Sequence, residues 1–179
     1  MAKVLSVSKN AEHRFSKAQV PTIHLIAGEG VDGDAHRGAM VKHIHLAKKD
    51  AESPNLRQVH LIHNELLEEL RGKGFNVSPG VIGENITTSG LDLLSLPVGT
   101  VLKFGATARI ELTGLRSPCS QLDKYQKGLV AAVLDRDEQG NLIRKSGVMA
   151  IVLDGGPVSV DDAIAVSLPP EPYLPLVPV

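Results

Sequence analysis

Short runs in which apolar and polar residues alternate, separated by glycine and proline, recur along most of the chain. A period of two predicts strands whose alternate side chains face one apolar core. The predicted strands cover residues 3–8, 22–26, 57–63, 81–88, 100–104, 107–113, 148–153 and 164–166. The strand at 81–88 contains Gly83, and an internal glycine is typical of a bulge or of a close backbone contact.

Helical patterns are fewer and shorter than strand patterns. Glu65–Leu70 brings three leucines to one side and is followed by Gly72, which predicts a short helix. Leu129–Leu134 is apolar and ambiguous, and we favour a helix there. Many short strands with two or three short helices predict a mainly β fold, a distorted β-barrel that is closed or partly closed. Five of the eleven prolines follow residue 168, which predicts an extended tail.

Composition narrows the class of protein. A chain of 179 residues with 42% hydrophobic residues fits a single domain, with a core at about 4–169 and a proline-rich tail at 170–179. A net charge of -1 gives no reason to expect nucleic acid or a membrane as partner. No apolar run resembles a signal peptide or reaches the ~18 residues of a membrane span. We therefore expect a cytoplasmic protein, of oligomeric state that the sequence leaves open.

Cys119 is the only cysteine, which excludes a disulfide within one chain. It follows the predicted strand at 107–113, and Ser117 and Pro118 have the pattern of a helix N-cap and first helical residue. That pattern predicts Cys119 in the first turn of a short helix, where the helix dipole and Arg116 would favour the thiolate. The alternative is that Cys119 is a small buried hydrophobe, as a lone cysteine often is.

A glycine-rich segment, Gly28–Gly38, cannot form regular structure. Its four glycines permit close backbone approach to a ligand, although a mobile surface loop is the alternative. Further along, His43 and His45 alternate with apolar residues, which would bring both imidazoles to one face of a strand.

Several motifs in a fixed order resemble the MOSC domain, the family named for the C-terminal domain of molybdenum cofactor sulfurases. The resemblance extends from about Val4 to Pro169. It depends on the segments Gly30–His36, Arg57–Leu61, Gly80–Thr87, Leu115–Cys119 and Gly147–Ala150.

The resemblance implies a mainly β fold in which Cys119 is the functional thiol. In this family the matching cysteine either carries sulfur as a persulfide or ligates the molybdenum of a pterin cofactor. A stand-alone member without a pyridoxal-phosphate domain is implied, which could reduce N-hydroxylated compounds with an external electron donor. The implied partners are a cysteine desulfurase or an electron-transfer protein.

The resemblance also suggests a cleft that holds the cofactor near the thiol. Arg116 would stabilise the Cys119 thiolate and hold anionic cofactor oxygens. Asn85 and the backbone of Gly83 would hydrogen-bond the pterin or its phosphate. Arg57 would be a second anion contact, or a solvated charge at a strand edge.

For other residues of this predicted cleft, a structural role is an alternative to a role in cofactor binding. Glu84 would orient a pterin amine or pair with an arginine, and His60 would act in acid–base steps or be structural. Asp34 and His36 would approach the cofactor from the glycine-rich segment. Lys124 would contact phosphate or be a surface lysine.

Two alternative functions stay open. A non-catalytic sulfur-carrier or cofactor-delivery module would use the same thiol with a protein partner. A zinc-dependent hydrolase would instead use imidazoles and carboxylates, although no HExxH spacing is present. Its candidate ligands are Asp32, Asp34, His36, His43, His45, His60 and His63.

Overall fold

The computed structural model describes residues 1–38 and 55–179, and these residues form a mainly β structure. In β8 buried residues alternate with more exposed ones, as the period-two pattern predicts. The strands in the described ranges are β1 (Lys3–Lys9), β2 (Ala18–Val20), β3 (Thr22–Ile26), β4 (Gly30–Val31), β5 (Val59–His63), β6 (Ile86–Ser89), β7 (Val101–Phe104), β8 (Ala108–Leu115), β9 (Leu134–Arg136), β10 (Leu142–Arg144), β11 (Val148–Asp154), β12 (Gly156–Ser159) and β13 (Ile164–Ser167).

Eight strands form one mixed sheet in the order β13-β7-β8-β11-β5-β6-β1-β2. Its neighbours are antiparallel except for β5 and β6, which are parallel. A backbone bridge between Lys3 and Ala163, and a bond from the Val4 amide to the Asp162 carbonyl, connect β1 with the residues that precede β13. Within the described ranges no sheet closes completely, so the predicted mainly β, partly closed barrel is confirmed.

Two smaller sheets complete the β structure. β12, β3 and β4 form a three-stranded sheet, whose Ile23, Leu25, Val31 and Val158 join the large sheet in one apolar core. β9 and β10 form a separate hairpin.

Three short helices cover a second apolar cluster, again counting only the part of the chain that is described. They are α1 (Asn64–Gly72), α2 (Ser120–Tyr125) and α3 (Leu129–Ala132), and a 3-10 turn spans Leu93–Ser95. α1 is amphipathic and buries the three leucines that its pattern predicted. The second cluster contains these leucines together with Ile62, Ile82, Leu122 and Leu129. It anchors α2, which follows Cys119 directly.

Two element predictions are wrong. The predicted strand at 81–88 begins only at Ile86, because the amides of Val81 and Gly83 close turns onto the carbonyls of Ser78 and Gly80. The predicted bulge at Gly83 is therefore a turn. The predicted helix at 129–134 ends at Ala132, since the chain enters β9 at Leu134.

The proline-rich tail is extended, as predicted, but it docks on the domain. Leu176 is buried in the main core. The Leu115 amide donates to the Val177 carbonyl, and the Val179 amide donates to the Leu115 carbonyl. The last residues of the tail therefore pair with the end of β8.

Candidate functional site

Cys119 lies at the start of α2, and the helix begins two residues later than predicted. It is the N-cap residue, with extended backbone at φ −128 and ψ 169, and its side chain does not cap the helix. The predicted place in the first helical turn is therefore wrong. The side chain is partly exposed, and Sγ lies 3.8 Å from Oε1 of Gln121. The thiol is thus reachable, which argues against a buried hydrophobe.

Arg116 follows β8 and is held at both its backbone and its side chain. Its amide donates to the Gly147 carbonyl, and its carbonyl accepts a hydrogen bond from Oγ of Ser146. Nη1 donates to the carbonyl of Ile82 at 2.7 Å. Burial lowers the pKa of Arg116, while the nearby side chains of Cys119 and Glu84 act in the opposite direction.

Arg57 reaches the same neighbourhood from the segment that enters β5. Its amide donates to Oδ1 of Asn55, and its Nε donates to the main-chain oxygen of Val179 at 2.8 Å. Burial lowers the pKa of Arg57, and the nearby Cys119 side chain acts in the opposite direction. In the described ranges neither Arg57 nor Arg116 forms an ion pair with an Asp or Glu side chain. Both arginines lie near the thiol, and the charge of the buried Glu84 also acts on Arg116.

Gly83 shapes the turn that holds Arg116. Its φ of +97 is a left-handed conformation, and a Cβ there would lie 2.6 Å from the Phe15 carbonyl oxygen and 4.0 Å from Nη2 of Arg116. Only glycine fits at this position without strain. The turn therefore presents the Ile82 carbonyl to the guanidinium.

His60 and Asn85 are buried and occupied with bonds inside the protein. Nε2 of His60 donates to the Ser146 carbonyl at 2.8 Å, and burial holds the pKa of His60 well below its ordinary value. The Asn85 side chain accepts from the His60 amide and donates to the Ser8 carbonyl. Both side chains thus connect strands beneath the site, and a cofactor contact would have to displace these bonds.

Glu84 is fully buried beside the turn. Its Oε1 accepts hydrogen bonds from the Gly80 amide at 2.6 Å and from Oγ1 of Thr87 at 3.0 Å. Burial raises the pKa of Glu84. These contacts fix the turn from inside.

Asp34 and His36 belong to a buried cluster that also contains Lys17, which sequence reasoning missed. Nζ of Lys17 donates to both carboxylate oxygens of Asp34, at 2.8 and 2.7 Å, and lies 3.3 Å from Nδ1 of His36. Burial alone would raise the pKa of Asp34, but the hydrogen bond with His36 and the charge of Lys17 hold it well below its usual range. Burial lowers the pKa of Lys17.

Lys124, the predicted phosphate contact, is exposed on α2.

The residues proposed as zinc ligands do not form a metal site in the described part of the chain. Among residues 1–38 and 55–179, no group of three or more His, Cys, Asp or Glu side chains could hold a metal ion. His43 and His45 lie outside the described residues. No helix in those same ranges has the length and apolar character needed to cross a bilayer.

Comparisons with known proteins agree with this architecture. The family model for the MOSC domain matches residues 36–165, which is most of the chain. The chain belongs to the MOSC domain family. No match to a curated protein sequence was found.

Solved structures share the fold of this MOSC domain. The YuaD protein from Bacillus subtilis has a TM-score of 0.74 and 23% identity, covering 93% of this chain and 96% of that one. YiiM from Geobacillus stearothermophilus has a TM-score of 0.68 and 17% identity over 98% of this chain and 80% of that one. YiiM from Escherichia coli has a TM-score of 0.62 and 20% identity over 96% and 73%.

The MOSC domain thus gathers Cys119, Arg116, Arg57 and the Gly83 turn in one neighbourhood. Electrostatic coupling of Lys17 to Arg116 extends this neighbourhood toward the Asp34 cluster. No local signal in the sequence marked Lys17 or the docked tail, because both depend on contacts between distant segments. A lysine in a polar stretch has the pattern of a solvated charge until the fold buries it.

Proposed function

We propose that this protein binds molybdenum cofactor, with the Cys119 sulfur as a ligand of the metal. The carrying observation is a partly exposed thiol near two arginines that form no ion pair with an Asp or Glu side chain among the described residues. Burying a guanidinium is costly, and a bound anion would offset part of that cost.

The Cys119 thiol and the two arginines fit molybdenum cofactor in their chemistry. A thiolate is a soft ligand that suits molybdenum, whereas the guanidinium fork suits phosphate and other oxyanions. When bound, the cofactor supplies two-electron redox chemistry and an oxygen-accepting centre. Arg116, fixed by the Ile82 carbonyl, would hold its anionic groups from one side, and Arg57 would hold them from the other.

The buried polar residues have a supporting role in this proposal. His60 keeps Ser146 in place through its carbonyl, and Ser146 in turn donates to the Arg116 carbonyl. Reduction of N-hydroxylated compounds is the activity that we infer for the loaded protein, with electrons from a separate electron-transfer protein.

Sulfur carriage is the second candidate, because the partly exposed Cys119 sulfur forms one side-chain hydrogen bond in the described ranges, with Gln121. A persulfide at that position would present its terminal sulfur to a partner. The donor would be a cysteine desulfurase, and the adjacent arginines would stabilise the anionic persulfide.

The test is expression in a host that makes molybdenum cofactor, followed by metal and pterin analysis of the purified protein. We expect molybdenum and pterin in equal amounts in the wild type and much less of both in Cys119→Ser. Ser120→Ala is the matched control, since Ser120 is the exposed neighbour of Cys119. It should retain both.

Incubation of the metal-free protein with a cysteine desulfurase and cysteine separates the two candidates. Persulfide on Cys119, together with no pterin in the protein purified from the cofactor-making host, would favour the sulfur carrier and contradict cofactor binding. Absence of pterin, molybdenum and persulfide would contradict both candidates.

A further inference from the structure

The tail pairs with the strand end that leads into the site. Leu115 exchanges backbone hydrogen bonds with Val177 and Val179, and Arg116 is the next residue along the chain. Leu176, between the exposed Leu174 and Val177, is buried in the main core. We call residues 174–179 the strap. One end of it is therefore anchored by apolar burial and the other by strand-like pairing.

Gly114 is what permits the strap to lie so close. A Cβ at position 114 would collide with the Val177 carbonyl oxygen and the Val179 side chain. Gly114 does not have a left-handed backbone, so a larger residue is excluded there by space alone. The close approach brings the main-chain oxygen of Val179 to Nε of Arg57 at 2.8 Å.

We infer that the strap is a working part of the anion site, because it orients the guanidinium of Arg57 toward the Cys119 sulfur. Val179 accepts a hydrogen bond from Nε of Arg57, which restricts the plane of the guanidinium fork, and Arg57 is close enough to Cys119 for the two to interact electrostatically. The Asn55 contact fixes the backbone of Arg57 at the same time. Arg57 is thus held by Asn55, two residues before it, and by Val179 at the end of the strap. Arg116 is held in a similar way by the carbonyl of Ile82.

This inference rests on the proposed anion site but needs no cofactor for its test. The probe is alkylation of Cys119 in metal-free protein by iodoacetate, an anion, and by iodoacetamide, its neutral analogue. The same thiolate attacks the CH2 carbon of either reagent and displaces iodide, so the ratio of the two rates cancels the thiolate fraction and reports positive charge beside the sulfur.

Arg57→Gln should lower the iodoacetate-to-iodoacetamide ratio about three- to tenfold, the effect expected for removing one unit charge near the sulfur. Gly114→Ala should lower the ratio by a similar factor although Arg57 is still present. The double variant should be no lower than either single variant, because both changes remove the same interaction. Arg57→Lys should restore part of the ratio.

Gly72→Ala is the matched control, because a Cβ there has open space and the ratio should not change. If Gly114→Ala does not fold, Val179→Pro removes the amide that donates to Leu115 and serves in its place. An unchanged ratio in a folded strap variant would overturn the inference. A raised ratio would also overturn it, since the strap would then occupy the anion position. The alkylation test gives its result whether or not the wild type binds the cofactor, so failure of the proposed function would leave the test intact.

Discussion

At the scale of single residues, the site depends on buried polar groups that are used within the protein. His60 is the clearest case, since its ring supports the Ser146 carbonyl from the interior and burial keeps it neutral. A titratable residue near a reactive thiol is easily taken for an acid–base catalyst from sequence. The contacts of His60 instead indicate a positioning role, although the catalytic prediction is untested.

The pH dependence of stability follows from this burial. The folded pKa of His60 is lowered, so below the ordinary histidine pKa the unfolded chain binds a proton that the folded protein does not. Stability should therefore be full above about pH 7 and should fall toward pH 5, with up to about 1.4 kcal/mol per pH unit from this residue. Urea unfolding measured at several pH values in that range should show that the free energy of unfolding changes less steeply with pH in His60→Gln than in the wild type. An identical dependence on pH in the two proteins would contradict the buried, neutral state.

Arg116 should be important for binding but not for stability. Arg116→Met removes a desolvated charge together with its bond to the Ile82 carbonyl, so we expect the free energy of unfolding to change by only about 1 kcal/mol. Copurifying pterin should fall about tenfold or more, because a charge-assisted contact is lost. Urea unfolding and pterin analysis measure the two effects.

Arg109→Met is the control for that variant. Arg109 lies on the same strand, β8, and pairs with Asp154 at the surface, where an ion pair contributes little. It should leave both stability and pterin content nearly unchanged. Equal pterin loss in the two variants would contradict a specific role of Arg116.

At the scale of elements, period-two patterns predicted most of the long strands because each has one buried face. β8 and β11 are within two residues of their predicted bounds. β2, β4 and β12 have two to four residues each, too few for periodicity to detect. The turn at Gly80–Gly83 was mistaken for a strand because its valine and isoleucine pack on the helices instead of a sheet face.

The position of Cys119 depends on one leucine of α2. This six-residue helix is too short to be stable alone, and Leu122 is its fully buried residue. Leu122→Ala should lower the free energy of unfolding by about 2–5 kcal/mol through loss of burial and the resulting cavity. Leu142→Ala, at an exposed leucine of β10, should change it by only about 0.5 kcal/mol. Similar losses in both variants would contradict the anchoring role of Leu122.

At the scale of the whole molecule, one buried ion pair joins the small sheet to the large one. Asp34 follows β4, Lys17 precedes β2, and the exposed fractions of their side chains are 0% and 4%. The sequence indicated a glycine-rich segment that could serve a ligand. The sequence could not show that Asp34 forms an ion pair with Lys17, because that pairing exists only after the sheets assemble.

Breaking this pair should be costly. Asp34→Asn leaves the Lys17 charge buried without a partner, so we expect a loss of about 3–5 kcal/mol in the free energy of unfolding near neutral pH. The double variant Lys17→Met with Asp34→Leu should recover most of that loss, since no isolated charge remains. Urea unfolding of the three proteins tests this. A small effect of Asp34→Asn would show that the pair does not tie the sheets together.

The central claim is that the Cys119 sulfur faces an anion site and ligates molybdenum there. The most direct measurement is the molybdenum K-edge X-ray absorption spectrum of protein loaded with cofactor, compared with Cys119→Ser loaded in the same way. We expect one more sulfur scatterer at bonding distance in the wild type than in the variant. Equal sulfur coordination in the two proteins, or no molybdenum in the wild type, would contradict it.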